Sequence, residues 1–488
     1  MEKFYVTTQI YYVNDIPSLG SAYTTIAADI LSRWNSVNGK SVRFVTGLDE
    51  NSSKTIQSAE KAKLNVKEYT DMMAKKWEEA WKILNIKYDD FIRTTEKRHK
   101  KVVHEIFNKI NAKGDIYKGK YEGLYCDGCE NFLMEKDLVN YKCPLHQKEP
   151  KKITEENYFF KLTKYQKEIL NYIKKNPDFI KPGFRKKEIV NFINEGLKDI
   201  SISRADLKIG IDLPIDKNHK FWVWFDALTN YITASNGYWP ANIHLVGKDI
   251  QKFHCIYWPA MLISANYKIP KQVYSHGFLT VNGQKMSKSL GNAIDPVYLS
   301  KKYSTDALRY YLMREIPFGQ DGDFSEKSLV NRLNSELADA LGNLLSRTTA
   351  MIQKYNEGTI PKGLEDKSLS KQLKFKLINE HMENLEFNNA LSEIFKYIDL
   401  CNKYINDNKP WELANNKKEK ELNNVLFNIV ESLRIMAEML YPFMPETSLR
   451  MHEQLGFKHR NTIDLRFGKV KSSGIKKGEN LFNKIKEE

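Results

Sequence analysis

What most limits the fold of this chain is how it begins: strand, tight turn, helix and strand again, all between residues 4 and 49. Phe4 to Val13 are rich in β-branched and aromatic residues and read as a strand. From Ala22, apolar residues return at helical spacing, at Tyr23, Ile26, Ala27, Ile30, Leu31 and Trp34. The segment "SVRFVTGLDE" then reads as a second strand running into a polar loop, and two more helices follow, around 68–84 and 99–113. This alternation predicts an α/β fold with a parallel sheet. Between the first strand and helix lies Pro17-Ser18-Leu19-Gly20-Ser21, a small uncharged turn whose purpose the rest of the chain has to explain.

From about 115 to 215 the alternation gives way to short strands, turn residues and clustered cysteines. A strand and helix resume at Phe221 with "FWVWFDALTNYITA", followed by "NIHLVGKDI" and "QVYSHGFLTV". The reading is one α/β domain in two halves, 1–114 and 216–274, split by an insertion over 115–215. Residues 275–325 form a lysine-loop region, and 326–488 are helical, with amphipathic segments such as "VLFNIVESLRIMAEML". The loop "NEGTIPKGLEDK" at 356–367 is marked by glycine and proline.

Charge points to a partner. Lys and Arg number 76 against 61 acidic residues, a net charge of +15, which favours a polyanion and nucleic acid first, although stretches such as "NNKKEKELNN" also fit plain lysine richness. No apolar run approaches the roughly 18 residues that would span a bilayer. "MEKFYVTT" enters a strand almost at once, leaving no room for a leader. The expectation is a cytoplasmic protein with no membrane partner.

The five cysteines are too few and too unevenly spread for a disulfide framework. Cys126 and Cys129 in "CDGCENF" are followed by Cys143 and His146 in "CPLH". Two residues between the members of each pair let both side chains of one tight turn reach a single tetrahedral ion, and thiolate with imidazole suits Zn²⁺. Four protein ligands leave no open position, so the zinc is expected to be structural.

The most informative stretch is "GFLTVNGQKMSKSLGN", 277–292. Asn282-Gly283 signals a hairpin turn, and Lys285 and Lys288 follow directly, able to set two ammonium groups on one triphosphate. "KMSKS" matches the signature of class I aminoacyl-tRNA synthetases. Its context resembles the methionyl-tRNA synthetases, as do "TTQIYYVNDIP", "FIRTTEKRH", "GLYCDGCENF", "NYFFKL", "DALRYYLMREIPFGQDGDFSE" and "DLCNKYINDNKPWELA", in the same order over nearly the whole chain.

The resemblance implies a Rossmann-type catalytic domain split by a connective insertion, then a helical anticodon-binding domain, with 275–325 holding the KMSKS loop and a stem-contact region. It implies that methionine and ATP, with Mg²⁺, form methionyl-adenylate, and that the methionyl group passes to the 3′ end of tRNA(Met). By motif matching, Ile10, Tyr12, Trp224, Ala227, Leu228, Tyr231, Ile250 and His254 fall in the methionine side-chain pocket and Asp49 at the substrate ammonium. Gly247 and Asp249 fall at the ATP ribose, and Asn343, Arg347 and Trp411 on the anticodon. No appended dimerisation domain follows "NLFNKIKEE", so a monomer is expected.

The family's version of the opening turn reads "PHIGHAY". Here both histidines are serine, Ser18 and Ser21, with Gly20 kept between them; Asn51 and Ser52 replace a histidine and a glycine in "TGLDENS", and Gln9 replaces a proline. The turn is still expected to hold ATP phosphates, through backbone amides at a helix start and hydroxyls instead of imidazoles. Ser18, Ser21, Lys285 and Lys288 are therefore the catalytic candidates, with Gly20 letting the nucleotide approach closely. Two other readings stay open at this point: a non-catalytic synthetase-like regulator that binds tRNA or nucleotide, and a class I ligase for another apolar amino acid.

Overall fold

The computed structural model describes the chain except for residues 129–130, 134, 136–137, 145–146, 206, 282, 287–292, 470, 477 and 487–488, and the side chains of 131, 132 and 285. Strand β1 (Lys3–Thr8) leads through the Pro17 turn into helix α1 (Leu19–Val37). The chain returns as β2 (Ser41–Asp49), parallel to β1 with Lys3 opposite Ser41 and Thr7 opposite Val45. β3 (Asp90–Arg93) adds outside β2.

After the insertion and the short helix α2 (Val223–Leu228), β4 (Ile243–Gly247) joins the other flank of β1, and β5 (Val273–His276) joins β4. Together with short pairings at Tyr11–Tyr12 and Ile180–Lys181 they make a seven-stranded sheet, and every described pairing in it is parallel. β4 is buried at all of its positions, as a strand covered on both faces requires.

The insertion is a long antiparallel ribbon, Ile116–Cys126 against Lys151–Phe160, with the cysteine segment at its far end. Its extent differs from the 115–215 read from sequence. Ile180 and Lys181 already pair in parallel with Val273 and Tyr274 at the edge of the catalytic sheet. A two-residue strand before a proline carries no alternation, so the sequence pattern has nothing to register.

The helical part begins around α3 (Thr305–Glu315) and includes α4 (Asn343–Asn356), α5 (Phe387–Asn408), α6 (Pro410–Asn415), α7 (Glu419–Leu440) and α8 (Pro445–Gln454). From Val425 to Leu440 every residue of α7 is buried. Its polar residues are therefore spent on holding loops. Asn428 accepts from the Asp366 amide at 2.8 Å and donates to the Leu364 carbonyl at 2.8 Å, and Arg434 donates to the carbonyls of Asp464 and Arg466. Among the described residues no helix is long and apolar enough to cross a membrane.

Catalytic and helical parts meet at a buried charge knot. Arg309 on α3 and Asp29 on α1 are both fully buried and 2.6 Å apart. Arg309 also donates to the carbonyls of Pro442 and Phe443, in the turn between α7 and α8, and to that of Leu84. Arg33 joins Asp29 from the next turn of α1 at 2.8 Å, and the other Asp29 oxygen accepts from the Lys87 amide. Removing the carboxylate would leave two buried guanidinium groups short of a counter-charge. Asp29→Asn should lower unfolding free energy by about 3–5 kcal/mol. Arg466→Ala, which cuts the exposed Arg466–Asp464 pair, should cost at most about 1 kcal/mol. Urea unfolding of the two variants side by side checks the difference.

Candidate active site

The strand order reverses between β1 and β4: the chain builds outward from β1 through β2 to β3, then returns to place β4 and β5 on the other side. In open parallel sheets this switch point leaves a crevice beyond the carboxyl ends of the strands, where ligands bind. Gln9 and Ile10 follow β1 there, and Gly247 to Ile250 follow β4. Gln9 bridges the two: its amide donates to the Leu245 carbonyl at 3.2 Å, and its side-chain oxygen accepts from the Gly247 amide at 2.9 Å. A proline in its place could make neither bond. A Cβ on Gly247 would lie 2.7 Å from an Asp249 carboxylate oxygen, so glycine is what lets that side chain fold back over the strand end.

Within the crevice, Ile10, Tyr12, Asp49, Trp224, Ala227, Leu228, Tyr231, Ile250 and His254 all border one cavity of about 170 Å³. That is well below the roughly 300–1,000 Å³ of pockets for drug-sized ligands, and suits an amino acid. Trp224 lies flat on Phe253, with ring centres 3.8 Å apart and planes 4° apart, so its outer face is held rigidly toward the space. Tyr231 and His254 are fastened to each other. The Ile250 carbonyl, 3.0 Å from His254 Nδ1, can only accept, so Nδ1 carries the proton and Nε2 accepts from the Tyr231 hydroxyl at 2.7 Å. Burial pushes His254 down to about 4 and raises Tyr231 above the usual phenol range, so both stay neutral. An aromatic-walled space of this size, with neutral Tyr231 and His254 and with Asp49 also in its lining, matches an unbranched thioether amino acid. Gln9, which the resemblance puts at the pocket edge in place of a proline, lines it too, as do Tyr11 and Asn230, whose local pattern does not separate them from core.

The opening turn holds its serines differently from expectation. Ser18 is the N-cap of α1, and with Ser21 it closes a capping box. The Ser18 amide donates to Ser21 Oγ at 2.9 Å, and Ser21 Oγ–H donates to the Ser18 carbonyl at 2.8 Å. Ser21's one proton is thus engaged in the turn itself. Ser18 Oγ accepts from the Ser21 amide at 3.4 Å and keeps its own proton. Of the first three helical amides, that of Leu19 donates to the Ile294 carbonyl, just past the lysine loop. The Gly20 amide has no such partner among the described residues and is the donor left for an anion. Asn51, the third altered position, donates to the buried Asp226 at 3.0 Å. One turn further along α1, Thr24 bonds His276 at 2.7 Å, and the other ring nitrogen of His276 faces the Gly277 carbonyl. A histidine ending a parallel strand at the crevice was a signal that the sequence carried and the motif search passed over.

Gly283 lies between the strands Leu279–Val281 and Gln284–Lys285, which pair antiparallel with Val281 opposite Gln284; Asn282, the other half of the expected turn, lies outside the described residues. Gly283 has φ +71°, and its amide donates to Asp323. Lys285 pairs by its backbone with Thr280; its side chain, and Lys288 entirely, lie outside the described residues. Of the expected zinc ligands, Cys126 and Cys143 are buried and in no disulfide, while Cys129 and His146 lie outside the described residues. Lys54 donates to the Gly128 carbonyl at 2.5 Å while lying 4.6 Å above the Tyr12 ring, so it ties the Cys126 turn to the rim of the pocket. Between insertion and crevice lies a larger cavity of about 1150 Å³ that shares Tyr12, Trp224, Asp249 and Ile250 with the small one. Far from both, Arg347 on α4 donates to Asn406 near the end of α5, close in sequence to Trp411, which opens α6 and is 39% exposed. Asn343 is exposed on the same helix as Arg347.

The family model for "tRNA synthetases class I (M)" matches residues 4–151 and 134–349. The chain belongs to the methionyl-tRNA synthetases of class I. A second model, for the anticodon-binding domain of tRNA ligases, matches residues 372–484 of this synthetase. It is 45% identical to the methionine–tRNA ligase of Caldanaerobacter subterraneus subsp. tengcongensis over 99% of this chain and 79% of that protein. It is 44% identical to that of Thermotoga maritima, over 99% and 80%. Its structure is similar to Mycobacterium tuberculosis methionyl-tRNA synthetase in complex with methionyl-adenylate, with a TM-score of 0.94 and 34% identity over 99% of this chain and 100% of that one. Against the apo form of that enzyme the TM-score is 0.87 at 32% identity, over 100% and 99%.

The neutral state of His254 has a consequence for acid stability. The unfolded chain binds a proton on this histidine below about 6.5, the folded chain only below about 4. Stability is therefore full above about pH 6.5 and is lost as pH falls toward 4, by up to about 3 kcal/mol from this residue alone. Urea unfolding between pH 7 and 4 should show that slope, and His254→Gln should reduce it, the remainder coming from the other buried histidines, His99, His244 and His276, which burial also holds low.

Proposed function

We propose that this methionine–tRNA ligase works as follows. Methionine places its side chain against Trp224, Ala227, Leu228, Tyr231, Ile250 and His254, between Ile10 and Tyr12, with its ammonium at Asp49. ATP, bound as its Mg²⁺ complex, lies across the switch point, with its ribose at Gly247 and Asp249. Its phosphates meet the Gly20 amide, the positive end of α1 and the free proton of Ser18. Lys285 and Lys288 close on the triphosphate from the other side. The methionine carboxylate attacks the α-phosphorus, the bond to the bridging oxygen breaks, and pyrophosphate leaves with the charge that the lysines and the helix start stabilise. The observation that carries this reading is that all nine residues matched to methionine, scattered from position 10 to 254, border one cavity of amino-acid size.

The 3′ end of tRNA(Met) enters the larger cavity beneath the insertion, where its terminal hydroxyl attacks the adenylate carbonyl; the bond from that carbon to the phosphate oxygen breaks, and AMP leaves, its phosphate taking up the hydroxyl proton. Cys126 and Cys143 fit a structural zinc held with Cys129 and His146: both are buried thiols in no disulfide, on turns facing the crevice. Such a zinc would hold the turn that Lys54 fastens to Tyr12. Trp411 stacks an anticodon base, and Asn343 and Arg347 meet base edges.

Pyrophosphate exchange by the purified chain tests this. It should proceed with methionine and not with leucine, valine or cysteine; absence of methionine-stimulated exchange overturns the reading. Lys285→Ala and Lys288→Ala should each slow exchange about 10²–10³-fold, with little change in the methionine KM. Ser21→Ala should cost about 1 kcal/mol of stability through the lost capping box and leave more residual exchange than Gly20→Val. Ser18→His with Ser21→His should retain measurable adenylation; its abolition would show a more deeply rebuilt phosphate site.

A further inference from the structure

Along α7, buried Asn428 and Arg434 hold segments of irregular chain with well-formed hydrogen bonds. Glu438, next on this helix, is different. Its carboxylate is 6% exposed and faces two histidines: His452 on α8, 3.0 Å away, and His459 in the irregular segment after α8, 3.5 Å away. His452 Nδ1 lies 2.8 Å from the Ser448 carbonyl, which can only accept. That bond fixes the proton on Nδ1 and turns the Nε2 position toward Glu438 Oε1. Two electron-pair donors so placed need a proton or a cation between them. Among the described residues the second carboxylate oxygen has no hydrogen bond, and neither has either ring nitrogen of His459. The Tyr441 ring lies against His459, with ring centres 4.2 Å apart and planes tilted by 34°.

We infer that Glu438, His452 and His459 form a binding site for a divalent transition-metal ion, separate from the cysteine site of the insertion. The three ligand atoms lie within 4.8 Å of one another. Donors bound at about 2.0–2.1 Å around one tetrahedral ion stand about 3.3 Å apart; here His452 Nε2 lies 3.0 Å from Oε1 and His459 Nδ1 3.5 Å from Oε2, so each histidine faces its own oxygen of the shared carboxylate. One carboxylate and two imidazoles suit Zn²⁺, Co²⁺ or Ni²⁺ over Mg²⁺ or Ca²⁺. The bond from His452 Nδ1 to a backbone carbonyl is the support that metal-bound histidines use. A cavity lined by both histidines opens beside them, with Lys458, Lys471 and Lys476 around it, so the remaining ligand position favours water or an anion. The ion would pin the segment after α8 to α7 beside the catalytic domain, where Asn461 bonds Ser36 on α1.

Cobalt distinguishes this site from the cysteine site, because only thiolate ligands give intense near-ultraviolet charge-transfer absorption. The chelator-treated full-length chain, titrated with Co²⁺, should take up an ion that adds weak visible bands without thiolate absorption. His452→Gln with His459→Gln should lose that ion, binding it at least about 100-fold more weakly, while the thiolate bands stay. Wild type should gain thermal stability with Co²⁺ even after Cys126→Ser and Cys143→Ser. Should the histidine variant fold poorly, anomalous scattering from crystals of the unaltered protein grown with Co²⁺ decides the matter. A peak between Glu438, His452 and His459 supports the site. No peak there, or cobalt uptake confined to the thiolate site, overturns it and leaves the three residues as a proton-bridged ion cluster.

Discussion

The structure turns on one buried carboxylate. Asp29 sits in the middle of α1, the helix whose first turn is the proposed phosphate site, and it receives Arg33 from its own helix and Arg309 from α3. Arg309 in turn grips carbonyls of the turn between α7 and α8. Buried ion pairs add little net stability over apolar packing, but a partly broken one is costly. Their value here is geometric. α1, whose first turn is proposed to meet the ATP phosphates, is fixed through a fully buried guanidinium to the helical bundle, so the proposed sites for the two ends of a tRNA stand in a defined relation.

The serines of the opening turn change both how that first turn is held and which donors it offers. Histidines in those positions would present ring nitrogens to phosphates. Ser18 and Ser21 instead hydrogen-bond to each other's backbone, which fixes the helix start and leaves the Gly20 amide and one hydroxyl proton facing the crevice. Nearby, Asn51 is drawn into the core by Asp226. The Ser21 and Asn51 side chains are thus committed to the protein, and the proposed burden of phosphate binding shifts to backbone, helix dipole, the Ser18 hydroxyl and the lysines of the loop.

Much of this was legible in the chain. The α/β start, the split of the catalytic domain and the helical C-terminal part follow from periodicity, because parallel strands and amphipathic helices imprint their burial on the sequence at fixed spacing. The hairpin before the lysines followed from Asn-Gly. The pocket was legible only through resemblance: taken alone, Tyr231 or Trp224 is indistinguishable from core. What escaped were features without a local pattern. The Ile180–Lys181 strand is too short to alternate, His276 meets Thr24 across 252 positions, and Ser21's hydroxyl turns inward for reasons visible only once the helix start is built.

The sequence by itself determined which elements form, which family the chain joins and which residue types stand ready for methionine, nucleotide and tRNA, since these depend on local propensity and on motifs that short-range geometry enforces. Tertiary structure alone decided which charges neutralise one another and which donors remain unspent. Those outcomes depend on distances of a few ångströms between residues hundreds of positions apart, and burial sharpens each of them, because a polar group removed from water must find its partner within the fold.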